Sequence, residues 1–89
     1  MNFEWDDKKA QKNLKEHGVS FEKVTVLFLN NKRLISVDRR NDYGEERFIT
    51  LGMVEKRLHV VVYTERGGSI RIISARKANK KEQKRYGNY

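Results

Sequence analysis

Residues 58–76 read LHVVVYTERGGSIRIISAR, and the pairing of this stretch with itself decides the layout of the chain. Two runs rich in Val and Ile flank Gly67-Gly68, the chemistry of a two-residue hairpin turn whose central residues both take positive φ. With a tight turn there, Thr64 faces Arg71, Val62 faces Ile73 and Val60 faces Ala75; Tyr63 with Ile72, Val61 with Ser74 and His59 with Arg76 make the alternate set. A symmetric loop at Val54 to Arg57 then brings Ile49, Leu51 and Met53 onto the face of Leu58, Val60 and Val62. That face is apolar and is expected to meet the helices. The other face collects Phe48, Thr50, His59, Tyr63, Ser74 and Arg76, and is expected to lie open. Rings, hydroxyls and a guanidinium on one rigid surface suit RNA, whose bases stack and whose phosphates pair with arginine. Arg66 and Arg71 fall near the hairpin tip, so none of the arginines interrupting this stretch has to enter a core.

Working outward, Asp6 or Asp7 caps a first helix running through Lys15, with Ala10 and Leu14 on one face and Gly18 as its stop. Ser20 caps a second helix whose buried side is Phe21, Val24, Val26, Leu27 and Phe28. After Asn30-Asn31 the period changes to two. Leu34, Ile35 and Val37 form a strand that ends in the turn residues Asn41-Asp42-Tyr43-Gly44. Phe48 to Met53, Leu58 to Glu65 and Ser69 to Ala75 follow as strands, and Asn79 with Glu82 makes a capping-box start for a short basic helix. The expected fold is α+β: two N-terminal helices packed on a four-stranded antiparallel sheet, followed by the C-terminal helix. No linker, repeat or proline breaks residues 1–89, which are expected to form a single domain.

Twenty Lys and Arg stand against twelve Asp and Glu, a formal net charge of +8. The excess is local. From Arg66 onward there are eight cations (Arg66, Arg71, Arg76, Lys77, Lys80, Lys81, Lys84, Arg85) and a single acid, Glu82. A one-signed field confined to one region attracts a polyanion, although a solvated basic helix that only aids solubility has the same composition. With no cysteine there is no disulfide framework and no zinc-ribbon spacing. The apolar runs are too short for a membrane span, and the N-terminus MNFEWDDKK lacks the pattern of a signal peptide. A soluble, cytoplasmic protein without a membrane partner is expected.

Three segments, FEWDDKKAQKNLKEHGVSF at 3–21, GEERFITLG at 44–52 and YTERGGSIRIISARKANKKEQKRY at 63–86, closely resemble the BrnT toxins. The pattern of Trp5-Asp6, Lys9, Asn13 and His17-Gly18, together with the block from Arg71 to Ala78, is long and ordered. The resemblance implies a RelE-like fold and a type II toxin: a ribonuclease that halts translation. It also implies neutralisation by a BrnA-like antitoxin whose ribbon-helix-helix module binds DNA, with two copies of each chain in the complex. DNA contact is then expected only through the antitoxin. Two positions depart from the family pattern: Asn30-Asn31 replaces the common Asp-Pro, and His59 replaces an aliphatic residue, which counts against His59 as a shared base.

Metal-independent RNA cleavage requires a base for the 2′-hydroxyl, cations for the charge growing on phosphate, and an acid for the leaving oxygen. Arg76 and Arg66 are the clamp candidates, with Arg71 and Arg47 as supporting cations. His17 and Glu65 lie inside the matched motifs and are the acid-base candidates, while His59 is suggested by the register alone. Tyr63, Ser74 and Lys9 complete the substrate-binding set. No metal ligands and no cofactor are expected. Each candidate has an ordinary reading beside it: His17 as a bond to terminal helix carbonyls, Glu65 as a surface ion pair, and Arg71 as a bridge to Glu46 or Glu65 that serves register. The alternative to a ribonuclease is a non-catalytic RNA-binding or protein-interaction module with a basic surface.

Overall fold

The computed structural model describes residues 1–40 and 44–87. β1 (Asn2–Glu4) leads into α1 (Asp7–His17), α2 (Phe21–Val24) and a 3₁₀ turn (Thr25–Leu29). β2 (Leu34–Asp38), β3 (Arg47–Val54), β4 (Arg57–Arg66) and β5 (Ser69–Lys77) follow, and α3 (Lys80–Gly87) is the last described element. The caps are those the sequence predicts. Asp6 accepts from the Lys9 amide (3.0 Å) and Ser20 from the Lys23 amide (3.2 Å). Gly18 takes the left-handed conformation, at φ 69°, that ends α1. Asn79 and Glu82 bond each other's amides at 2.8 and 2.9 Å, a full capping box. Of the expected turn, Asn41, Asp42 and Tyr43 lie outside the described residues.

The sheet is five-stranded and mixed, in the order β1-β5-β4-β3-β2, which corrects the expected four-stranded antiparallel arrangement. The added strand is β1, parallel to β5 through the pairs Asn2 with Ser69, Phe3 with Ile70 and Glu4 with Arg71. Three residues are too few to show a period. The two central hairpins turn where expected, with Glu55 and Lys56 at φ 49° and 67° and Gly67 and Gly68 at 53° and 82°.

A bulge changes the reading of β5. Tyr63 pairs with Ile72 as predicted, but Val62 then pairs with Ser74, Val61 with Ala75 and Val60 with Arg76, leaving Ile73 without a partner. The expected assignment of the two faces is inverted as well. Phe21, Val24, Leu27 and Phe28 from the helical segment cover Val54, Val61, Tyr63, Ile72 and Ala75, forming the main core. Tyr63, 3% exposed, packs edge-on against Phe28 (4.9 Å) and stacks on Phe48 (5.4 Å). His59 is buried on the same side, its Nδ1 donating to the Arg57 carbonyl at 2.9 Å. Thr50, fully buried, donates to the Leu34 carbonyl at 2.8 Å and accepts from Arg33 at 3.2 Å. Hydrogen bonding within the core is what lets polar side chains occupy the helix-covered face. A smaller cluster of Leu51, Leu58, Val60 and Ala78, flanked by Leu34, Ile49 and Tyr86, forms on the opposite face beneath α3. Because β5 slips by one residue at Ile73, Ser74 and Arg76 stand on that opposite face beside Val62 and Val60.

Candidate functional site

On the face away from α1 and α2, the sheet and α3 enclose a cleft of about 220 Å³. Its floor is Ile49, Leu51, Val60 and Val62; its polar lining is Ser36, Arg40, Ser74, Arg76, Glu82 and Arg85. Strand alternation supplies Ser36 from β2, and the bulge supplies Ser74 and Arg76 from β5. Arg76 donates through Nη1 and Nη2 to the two carboxylate oxygens of Glu82, each at 2.8 Å, and through Nη1 to the Lys77 carbonyl at 3.3 Å. Hydrogen bonding to Arg76 holds the Glu82 carboxyl below the ordinary carboxylate range, assisted by the Asn79 amide and the charge of Arg85. The same bonds raise Arg76, against partial desolvation and the like charge of Arg40. The cleft is therefore lined by three guanidiniums and one carboxylate, with hydroxyls on the sheet side; Arg40 itself donates through Nε and Nη2 to the buried Asp38 carboxylate, each at 2.8 Å. A phosphate entering it would compete with Glu82 for the fork of Arg76.

The other sequence-predicted cations lie elsewhere. Arg66 donates to Glu45 at 2.8 Å, and Arg47 reaches the same carboxylate at 3.4 Å. These hydrogen bonds, Arg66 first, hold Glu45 below its ordinary range and raise Arg66. This group sits at the tip of the β4–β5 hairpin, where Arg66 pairs with Ser69. From Arg66 to Val60, the partner of Arg76, β4 runs about 20 Å at about 3.3 Å per residue. Arg66 and Arg76 therefore cannot grip one phosphate, and the expected two-arginine clamp is not assembled. Arg71 pairs with Glu4 of β1 at 2.9 Å and ties the outer strand to the sheet. Glu65 is exposed at the tip beside Gly67, Gly68 and Ser69, remote from Arg76. Tyr63 is core.

A second groove adjoins the cleft. Lys9, Lys12, Glu16 and His17 of α1 line it from one side, Ile73 and Ser74 of β5 from the other. Ser74 belongs to both depressions, so the structure brings together Lys9, His17, Ser74 and Arg76 from the predicted set. Sequence reasoning missed Arg40, Arg85, Ser36 and Glu82 as cleft residues. The single acid in a basic tail was the available signal for Glu82; nothing in sequence spacing brings β2 and α3 to the same opening. Among the described residues no group of three or more His, Asp or Glu side chains is placed to hold a metal ion, and no helix is long and apolar enough to cross a membrane.

Residues 5–82 match the model of the family described as "Ribonuclease toxin, BrnT, of type II toxin-antitoxin system". No curated protein matches the chain.

Proposed function

The chain belongs to the BrnT family of type II toxin-antitoxin ribonuclease toxins, and from that membership we propose that it is a metal-independent endoribonuclease that inhibits translation. The observation that carries this reading is the cleft of about 220 Å³ whose lining includes Arg40, Arg76 and Arg85. Cleavage begins with attack of a 2′-oxygen on the adjacent phosphorus. Negative charge then grows on the non-bridging oxygens, and the 5′-oxygen leaves with a proton. Guanidiniums that stay charged throughout stabilise that charge build-up, and a planar fork such as that of Arg76 can hold two of the oxygens at once.

The acid-base role is assigned to His17, which shares its groove with Ser74 and Glu16. Glu82 is ill suited to that role. A carboxylate held below its ordinary range is ionised but weakly basic, which fits a competitor for Arg76 better than a proton acceptor. Lys9 and Lys12 extend the positive track along α1 to neighbouring phosphates.

Membership of a type II system implies an antitoxin partner. The basic α3 and its cleft supply the surface for a BrnA-like antitoxin bearing acidic side chains, assembled with two copies of each chain. The alternative, an RNA-binding module without chemistry, draws on the cleft lining, which holds guanidiniums, hydroxyls and a carboxylate but no imidazole.

The deciding experiment is cleavage of RNA by the purified protein in EDTA. Activity should persist, Arg76→Ala should lower it by about 10²-fold or more, and Arg76→Lys should restore part of it. Arg66→Ala, about 20 Å away along the hairpin, should stay near wild type. An Arg76→Ala protein as active as wild type would refute the site, and RNA bound but never cut would favour the non-catalytic module.

A further inference from the structure

Asn13 belongs to α1 but bonds as a strand residue does. Its Oδ1 accepts from the Ala75 amide at 3.1 Å, and its Nδ2 donates to the Ala75 carbonyl at 2.8 Å and to the Val19 carbonyl at 2.9 Å. The side chain is buried, and the reciprocal bonds leave one orientation for the amide: turned over, its NH₂ would face the Ala75 N–H. Among the described residues, β5 has a strand neighbour on this edge only at Ser69, Ile70 and Arg71. Beyond Arg71, the edge is met by α1 and by this one carboxamide.

Position matters more here than bond count. In a strand, alternate residues turn both N–H and C=O toward the same edge, and the same alternation decides which face each side chain takes. Ala75 can present its N–H and C=O to Asn13 only when Ser74 and Arg76 turn theirs toward β4. That is the register beyond the bulge. In the register without it, Val62 would pair with Ile73, Ser74 and Arg76 would turn to the outer edge, and the side chain of Arg76 would point into the helix-covered core.

We infer that Asn13 is a positioning residue for Arg76, selecting the bulged register of β5 that delivers Ser74 and Arg76 to the cleft. Its consequence for cleavage rests on the reading of Arg76 as the phosphate-holding group; its consequence for register does not. One prediction separates this role from simple stabilisation. Deleting Ile73 removes the extra residue itself, so that Ser74 follows Ile72 with ordinary alternation and Arg76 reaches the cleft without a bulge. In that shortened chain Asn13 has no register left to select.

The test uses the full chain as wild type, Asn13→Ala, the Ile73 deletion and the two combined, with two readouts. Cross-strand NMR contacts of Val62 with Ser74 and Val60 with Arg76 report register. RNA cleavage reports function. Asn13→Ala should lose those contacts and fall about 10- to 100-fold in kcat/KM; the combined variant should regain both contacts and most of the activity. Contacts unchanged in Asn13→Ala overturn the inference. So does a combined variant that behaves no better than Asn13→Ala, including one in which neither folds. An Asn13→Ala protein that fails to fold beside a combined variant that folds and cleaves upholds it. Should the contacts shift as expected while Arg76→Ala retains full activity, the register role stands and the assignment of Arg76 to phosphate falls.

Discussion

Glu82→Gln is predicted to tighten RNA binding. In the free protein Glu82 occupies both arms of the Arg76 fork at 2.8 Å, so an incoming phosphate must first displace it. The pair is not deeply buried: 41% of the Arg76 side chain and 21% of that of Glu82 are exposed. Solvent screening therefore limits its worth to the range of surface pairs, about 0.2–1 kcal/mol. Relieving the competition should tighten binding by roughly 1.4- to 5-fold, since about 1.4 kcal/mol corresponds to tenfold. Glutamine keeps the oxygen that accepts from the Asn79 amide, so the start of α3 is retained and stability should fall by less than about 1 kcal/mol. The assay is fluorescence anisotropy with a 2′-O-methylated oligonucleotide that cannot be cut. Because any Glu→Gln change raises the net charge, Glu22→Gln on α2 serves as the charge-matched control. Equal affinities for the two variants, or weaker binding by Glu82→Gln, would refute the competition.

Three further outcomes are expected. Gly52→Ala should lower the urea midpoint, with a loss of about 1–3 kcal/mol, because a Cβ there would sit 2.8 Å from Cγ of the fully buried Leu27 and 3.3 Å from Cβ of Arg33; an unchanged midpoint would show that Leu27 can yield. The thermal midpoint should be level from neutral pH to about pH 5 and decline below about pH 4: Glu82, Glu45 and Asp6 all have carboxyls depressed by folding, so their stabilisation is present above the unfolded pKa and is lost as pH falls through the folded one. A midpoint that rises on acidification would contradict those assignments. Antitoxin association, followed by stopped flow across a salt series, should slow as salt rises and slow further on charge reversal of the exposed Lys80, Lys81 and Lys84; rates flat with salt and equal for both proteins would place the antitoxin on another surface.

The elements legible in the sequence were those with local chemistry. Asp6, Ser20, Asn79 and Gly18 mark helix ends by bonds or φ values that their own side chains permit, and Gly67-Gly68 sets the hairpin tip. Which face of the sheet meets α1 and α2 was not legible, because both faces carry apolar residues: one lies under the N-terminal helical segment and the other is partly covered by Ala78 and Tyr86. Alternation states that two faces differ, not which one a distant helix covers. The bulge at Ile73 was hidden for a related reason. It contains no Gly or Pro to announce it, and the amide that matches it comes from Asn13, far back in the chain. Ser74 and Arg76 reached the predicted open surface although the predicted register and faces were both wrong, since the slip in β5 reversed those two residues along with the sheet. Tyr63, Thr50 and His59 lie outside that slip and are buried, with Phe48 packed against the core beside them. The arginines were legible as cations but not as partners: the carboxylates that occupy Arg66, Arg71 and Arg76 are Glu45, Glu4 and Glu82, and for Glu45 and Glu4 tertiary folding alone brings them there.

The pairing of β1 with β5 bears on how the molecule comes into being. Arg71 meets Glu4 across a separation of 67 residues, and Ala75 meets Asn13 across 62. During synthesis the N-terminal segment leaves the ribosome long before the strand it must join. Until β5 has emerged, Asn13 has no edge to bind and the strand that carries Ser74 and Arg76 is absent. Both contacts are non-local, and the entropy of closing such a loop is lost before the contact offsets it. A nascent or prematurely terminated chain that stops before β5 thus lacks Ser74 and Arg76, and with them one wall of the cleft.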